Sequence, residues 1–341
     1  MSRVKLNFLG KILAILLRRF KTMKRKNIAP AFKIFLSGLF IYTVYKSVKL
    51  VDFALSRDGF EMFERMSKDS REMQLIKNDA KKDKEKIDKF IKRSIKRDGF
   101  IESFDKTRLF AQVYRQREYS KKWAILVHGY SANGNDMMYM ARKFFKLGYN
   151  VLLPDCRGHG KSEGDYVTMG WHDRLDLVEW VNKIVERDKY SKILLYGYSM
   201  GAATVMMASG EDLPKNVKCI IEDCGYSSVV EEFSYQLKKL FKLPRFPFIH
   251  MCEIVSNIIA GYKLSEASCI NQVKKCKTPL LFIHGEKDEF VPTHMVHKLY
   301  EAATCEKELF IVKNAGHGVC ENIGKADYWK VIKDFSSKYL N

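Results

Sequence analysis

The sequence predicts an α/β fold built on a mainly parallel sheet, and three observations predict it. Short apolar runs recur at 123–127, 150–154, 192–196, 217–222, 279–284 and 308–312. Segments with helical spacing separate several of them, notably 136–147 and 172–187. A small polar or Gly-rich motif follows each run. Runs that are apolar throughout suit strands buried on both faces by crossover helices. In such sheets, sites form at the carboxyl ends of the strands. The motifs sit at those ends.

The run at 192–196 ends in Gly197-Tyr198-Ser199-Met200-Gly201, followed by Ala202-Ala203. This G-x-S-x-G pattern is a nucleophile elbow, a sharp strand-to-helix turn that lifts a serine hydroxyl above the sheet edge. Gly197 and Gly201 stand where strand and helix cross too closely for side chains. Ser199 falls at a helix N-terminus, where free N–H groups and the helix dipole favour developing negative charge. A Gly-rich turn with a solvated serine would carry the same letters, so the rest of the chain must decide.

Before the first buried strand, 100–104 and 109–114 alternate like a pair turning near Asp105-Lys106. The strand at 123–127 runs into His128-Gly129-Tyr130. The strand at 150–154 runs into Asp155-Cys156-Arg157-Gly158-His159-Gly160-Lys161-Ser162. The strand at 279–284 precedes Gly285-Glu286-Lys287-Asp288, and that at 308–312 precedes Asn314-Ala315-Gly316-His317-Gly318 and a terminal helix.

The 341 residues allow one large domain plus an appendage, and 46% hydrophobic content allows a sizeable core. The net charge of +20 is unevenly placed: residues 1–50 hold twelve Lys/Arg and no Asp/Glu, leaving +8 for the remainder. That asymmetry points to a membrane-proximal basic tail. No nucleic-acid motif is present, and no aromatics interleave with the basic run, so nucleic acid is not an expected partner. The eight cysteines form no C-x-x-C pair and read as small core hydrophobes, with zinc not expected.

Residues 31–50 have an uncharged centre at 34–45, flanked by Lys33, Lys46 and Lys49, with Tyr42 and Tyr45 suited to an interface belt. The expectation is a single transmembrane anchor within a tail of residues 1–55. A helix lying in the interface plane is the alternative. Ten basic residues before Ile34 would keep the tail cytoplasmic and place the catalytic domain outside. Eight cysteines fit poorly with that oxidising side. Residues 56–97 are dense in charge, with Glu85 and Lys89 at i,i+4, and read as a solvated helical stalk. The folded domain is then 98–341.

Acyl transfer from a serine needs a base, a group that orients the base, and donors for the oxyanion. Among eight histidines, His317 is favoured as base because it follows the last strand on a Gly-flanked loop. His284 ends a strand and His128 precedes a turn, so both read as structural; His294 and His297 read as surface. Asp288 is preferred as the orienting acid. Asp223, at the end of the strand after the nucleophile, is the rival, and Glu286 and Glu289 stand behind it. Met200 should supply one oxyanion N–H and Tyr130 the other.

With the order Ser199, Asp288, His317 and the motifs above, the chain resembles the α/β-hydrolase superfamily. It is most similar to membrane-anchored bacterial hydrolases of the serine-aminopeptidase-like and acyl-esterase group. The resemblance covers about residues 98–341. It implies an eight-stranded sheet with helices on both faces, a Ser-Asp-His triad and no cofactor, but does not choose among esters, thioesters and peptides. It also marks residues 229–277 as an insertion. The insertion reads as a helical cap over the site, lined from the apolar segments 243–249 and 255–259 and able to admit an acyl, aromatic or lipid-like group.

These observations lead to an expected serine hydrolase of carboxylic esters. A peptidase or amidase of the same fold, or a binding protein without turnover, remains the alternative.

Overall fold

The structure, a computed structural model, describes residues 30–67 and 70–340. The basic tail at 1–29 lies outside them. Eight strands form one sheet: β1 (Ile95–Glu102), β2 (Arg108–Arg115), β3 (Lys122–Val127), β4 (Asn150–Pro154), β5 (Lys192–Tyr198), β6 (Val217–Asp223), β7 (Leu280–Gly285) and β8 (Lys307–Val312). Their spatial order is β1-β2-β4-β3-β5-β6-β7-β8. β2 pairs antiparallel with β1 and β4; every other pair is parallel.

The apolar runs are explained by burial on both faces. In β5, Ile193 and Leu195 join one core while Leu194 and Tyr196 join the other, and all four are buried. Each such side chain contributes about 1.5–3 kcal/mol by leaving water. β1 differs because it is an edge. It is largely exposed and carries Lys96 and Arg97, charges that discourage pairing with another chain. It also starts at Ile95, inside the stretch read as stalk.

Helices α4 (Met138–Lys146), α5 (Asp173–Arg187), α6 (Met200–Ala208), α10 (His294–Ala302) and α11 (Cys320–Leu340) cover the sheet. Between β6 and β7 lies the cap, with α7 (Val229–Phe241), α8 (Arg245–Ile259) and α9 (Cys269–Val273). Seven of the eight cysteines are buried and all are free, as expected of small hydrophobes.

The N-terminal segment departs from its sequence reading. It comprises α1 (Pro30–Leu55), α2 (Arg57–Ser67) and α3 (Arg71–Arg93). No helix among the described residues is long and apolar enough to cross a membrane, so the expected spanning anchor at 31–50 is not supported. Thr43, Lys46, Ser47, Lys49 and Asp52 interrupt the apolar sequence. The second half of α1 instead docks on the cap. Val44, Val51 and Leu55 are buried, Val44 packs on Met251 and Ile259, and Cys252 Sγ donates to the Ser47 carbonyl. At its end, Val167 N–H donates to the Leu55 carbonyl at 2.7 Å.

α3 is helical as expected, with Ser70 as its N-cap. It is docked on the domain, however. Phe90 is buried against Tyr114 and Phe145, each with ring centroids 5.0 Å away, and Asp83 pairs with Arg142 and with Lys86. Phe90→Ala is therefore expected to lower unfolding free energy by about 3–5 kcal/mol, the usual cost of deleting a buried aromatic. Chemical denaturation would read it. A loss within about 0.5 kcal/mol would mean α3 is a free stalk.

Candidate active site

The parallel register aligns the strand ends. Val127 pairs with Gly197, Tyr198 with Asp223, and Gly285 with Val312. The loops carrying His128, Ser199, Asp288 and His317 thus leave from one sheet edge.

Ser199 has φ +54°, a conformation that costs a non-glycine residue about 1–3 kcal/mol. The crossing around it leaves no alternative. A Cβ on Gly197 would strike the Gly201 carbonyl, and one on Gly201 would strike Val127 and His128 carbonyls. Ser199 N–H donates to the Asp223 carbonyl at 2.8 Å, and its carbonyl accepts from Ala203 in the first turn of α6. Next door, the Tyr198 hydroxyl donates to the Gly318 carbonyl at 3.0 Å, tying the elbow to the loop that bears His317.

Ser199 Oγ lies 2.9 Å from His317 Nε2, and His317 Nδ1 lies 2.7 Å from Asp288 Oδ2. A carboxylate can only accept, so Nδ1 carries the proton and Nε2 is free to accept from the serine. Asp288 is itself held. Its Oδ1 accepts from the N–H groups of Phe290 at 2.9 Å and Val291 at 2.8 Å. His284 Nε2 stands 3.3 Å from Oδ2 and donates to the Val291 carbonyl at 2.9 Å. Burial pushes the Asp288 carboxyl up, but the charge on His317 and the hydrogen bonds from His284 and His317 outweigh it and hold it well below the usual range. For His317, burial acts downward and is outweighed by the charge and hydrogen bond of Asp288, so its pKa is raised.

The rival residues are engaged elsewhere. Asp223 Oδ2 accepts from the hydroxyls of Tyr328 at 2.7 Å and Tyr196 at 3.2 Å, on the far side of the sheet end, and burial raises its pKa. Glu286 Oε2 accepts from Asn314 N–H at 3.0 Å, and Glu289 is an exposed partner of Lys239. His294 meets Glu231 at the surface. His128 is fully buried. Its Nε2 accepts from Cys156 N–H at 3.0 Å, which leaves Nδ1 to donate to the Gly129 carbonyl at 2.7 Å. That bond sets the plane of the Gly129–Tyr130 peptide, whose N–H is the second expected oxyanion donor. The same loop lies against Ser199, since a Cβ on Gly129 would be 3.4 Å from Ser199 Cβ. Met200 opens α6 directly after Ser199.

The motif at 155–162 is scaffolding. Asp155 accepts from Gly134 and Lys161 N–H groups, Ser162 bridges Asp155 and Phe110, and Arg157 binds Asp176, Asp105 and Ser103. Among the described residues, no group of three or more His, Cys, Asp or Glu is placed to hold a metal ion.

A cavity of about 110 Å³ opens beside Ser199 and is almost wholly apolar. The cap contributes Phe233, Leu237, Leu240 and Phe241 from α7, and Ile249 and Cys252 from α8. Of the segments expected to line it, only Ile249 does so; Phe246 is 73% exposed and Val255 belongs to the core. The opposite wall was not anticipated. Leu50, Val51, Phe53 and Ala54 of α1 and Phe63 of α2 supply it. Phe63 packs edge-on against Tyr130 and Phe290, and Phe60 stacks on His159 with centroids 4.6 Å apart. The signal was present: Phe60 and Phe63 stand at i,i+3 in an otherwise charged stretch. A fragment cut at residue 98 would lack this wall.

Comparison with known proteins agrees with the fold. A family model described as alpha/beta hydrolase fold matches residues 123–249. The chain is 25% identical to the Pyrococcus furiosus esterase Pf2001, whose structure superposes with a TM-score of 0.61 over 73% of this chain and 92% of that one. YqkD of Bacillus subtilis is 29% identical over 213 residues, 62% of this chain and 70% of that protein. The lysophosphatidylserine lipase ABHD12 of Danio rerio is 27% identical over 207 residues, 58% of this chain but only 52% of the lipase. The eight-stranded, mostly parallel sheet flanked by helices is the α/β-hydrolase fold, and the family model and the esterase structure support placement in that superfamily.

The His317–Asp288 pair has a measurable consequence. His317 has a raised folded pKa, so its contribution to stability is full below its ordinary value near 6.5 and is lost as pH rises through the folded value. Asp288 has a depressed folded pKa, so its contribution is full above about pH 4 and is lost as pH falls through the folded value. In an NMR titration, His317 should titrate above 6.5, and Asp288→Asn should bring it down. An unchanged His317 in that variant would contradict the coupling.

Proposed function

We propose that this protein is a serine hydrolase of carboxylic esters whose acyl or lipid-like group occupies the apolar cavity. The observation that carries the reading is the continuous hydrogen-bonded chain Ser199–His317–Asp288 opening onto that cavity. The names of two relatives, an esterase and a lipase, point the same way.

In this reading Ser199 Oγ attacks the ester carbonyl carbon while His317 Nε2 takes its proton. Negative charge collects on the carbonyl oxygen, where the N–H groups of Met200 and Tyr130 receive it. Collapse breaks the bond to the alcohol, which leaves with the proton from His317. Water then attacks the acyl-enzyme, with His317 again as base, and Ser199 is regenerated. Asp288 keeps the imidazole in the tautomer with Nε2 free and stabilises its cation. Peptide or amide cleavage uses the same groups but needs room for an amide leaving group, and the apolar lining favours an acyl chain.

A fluorophosphonate probe should label the wild type and not Ser199→Ala. A folded wild type that resists labelling would favour a binding protein without turnover. Asp288→Asn should lower kcat on p-nitrophenyl esters by roughly 10⁴-fold, the scale seen when a triad acid is neutralised. Asp223→Asn should cost far less; the reverse order would move the acid to β6.

We also propose that the face formed by α1 and α8 rests on a lipid surface, with the basic tail at 1–29 adding attraction to anionic headgroups. Leu39, Ile41 and Tyr45 of α1 and Phe246, Ile254 and Ile258 of α8 are exposed apolar side chains on neighbouring helices. The full chain should sediment with anionic vesicles, and Phe246→Glu with Ile254→Glu should weaken this several-fold. Equal binding by the two proteins would exclude this face.

A further inference from the structure

Besides Ser199, the apolar wall of the cavity includes a carboxyl and an amide side chain. Glu232 and Gln236 lie one turn apart on α7, and both line the cavity. Gln236 Nε2 donates to Glu232 Oε1 at 2.8 Å and to the Phe290 carbonyl at 2.8 Å. Those two bonds use both protons of the amide. Glu232 Oε2 and Gln236 Oε1 remain buried with no hydrogen-bond partner. Glu232 is 96% buried, being only 4% exposed.

Two such atoms are costly in an apolar wall. A buried polar atom left without a partner forfeits its hydration with nothing in return, and buried polar groups normally find partners. A purely apolar acyl pocket would be served better by Leu or Met at either position. The groups that face Glu232 also decide its chemical form. Burial pushes its carboxyl up, to about 8, against the lowering effects of the Gln236 hydrogen bond and the His317 charge. Near neutral pH the carboxyl is then mostly protonated. Oε2 becomes a donor, while Gln236 Oε1 is an acceptor. A hydroxyl is the smallest group that can accept from the first and donate to the second.

We propose that Glu232 and Gln236 form a polar subsite in the cavity that binds a hydroxyl group carried by the substrate. The word substrate rests on the ester reading above; the subsite itself does not. It would make the enzyme selective for esters whose buried portion carries a free hydroxyl over plain alkyl esters. A site built around a substrate hydroxyl rejects the analogue that lacks it, because its own polar groups are then left unpaired.

The test uses the full chain. Rates are compared for p-nitrophenyl octanoate and for octanoates bearing one hydroxyl at carbon 3, 6, 7 or 8. At one position, kcat/KM for the hydroxylated ester should exceed that for octanoate by about tenfold or more, and both Glu232→Leu and Gln236→Leu should abolish or reverse that ratio. Glu232→Gln, which keeps a donor, should retain part of it. The ratio is read whatever the absolute rates are.

A wild type that disfavours the hydroxyl at every position, with the same ratios in Glu232→Leu, would overturn the subsite and leave ordered water as the partner of both atoms. A shift of the acid limb of the pH profile that is equal for both esters, with the ratio unchanged, would also overturn it and make Glu232 a positioning residue acting through His317. If the wild type cleaves no ester, the ester reading fails. Calorimetric binding of the same esters to Ser199→Ala then decides the subsite: about tenfold tighter binding of one hydroxylated ester supports it, and equal binding ends it.

Discussion

The tight crossing of β5 over α6 governs the rest of the molecule. With no side chain at Gly197 or Gly201, the helix can begin against the Val127 and His128 carbonyls, and Ser199 is forced to positive φ at the apex. Conformational strain of this kind persists only where surrounding structure over-determines it. Here the restraint comes from three neighbouring strand ends. β6 accepts the Ser199 N–H, the β3 loop packs on its Cβ, and the loop after β8 is held by the Tyr198 hydroxyl. The hydroxyl that results lies 2.9 Å from His317 Nε2 and at the wall of the cavity.

A second layer of contacts holds the histidine and its carboxylate. Asp288 spends one oxygen on the backbone of its own loop and the other on His317, with His284 Nε2 3.3 Å away. A carboxylate accepting that many bonds is ionised and immobile, so it can hold the imidazole proton on Nδ1. His284 and His128 show how position sets the role of a histidine. Both are buried at strand ends and bound to backbone rather than to Ser199. His128 nonetheless shapes the site by fixing the peptide before Tyr130.

Around this rigid centre the binding volume is assembled from two separate parts of the chain. α7 and α8 come from an insertion late in the sequence, and α1 and α2 from its start. They meet through Tyr42 on Phe248 and Phe53 on Phe241, rings packed edge to face. The apolar character of α1 therefore has an internal use: Val44 is buried against the cap, and Leu50, Val51, Phe53 and Ala54 line the cavity.

The parallel sheet, the elbow and the approximate ends of the helices near 136–147 and 172–187 were legible in the sequence, because burial on both faces and close backbone approach leave direct marks: unbroken apolar runs and paired glycines. The sequence also pointed to Ser199, Asp288 and His317, which the converging strand ends and their loops bring within hydrogen-bonding distance of one another. The wall built by Leu50, Phe53 and Phe63 was not legible, nor was the docking of Phe90. A charged helix with a few apolar residues on one face reads the same whether it stands in water or lies on a partner; only the partner's position distinguishes the two. The sequence alone determined which backbone geometry Ser199 must adopt, because sterics at Gly197 and Gly201 act over a few residues. Tertiary structure decided what surrounds that serine, because the cavity is defined by surfaces more than a hundred residues apart that become neighbours only after folding.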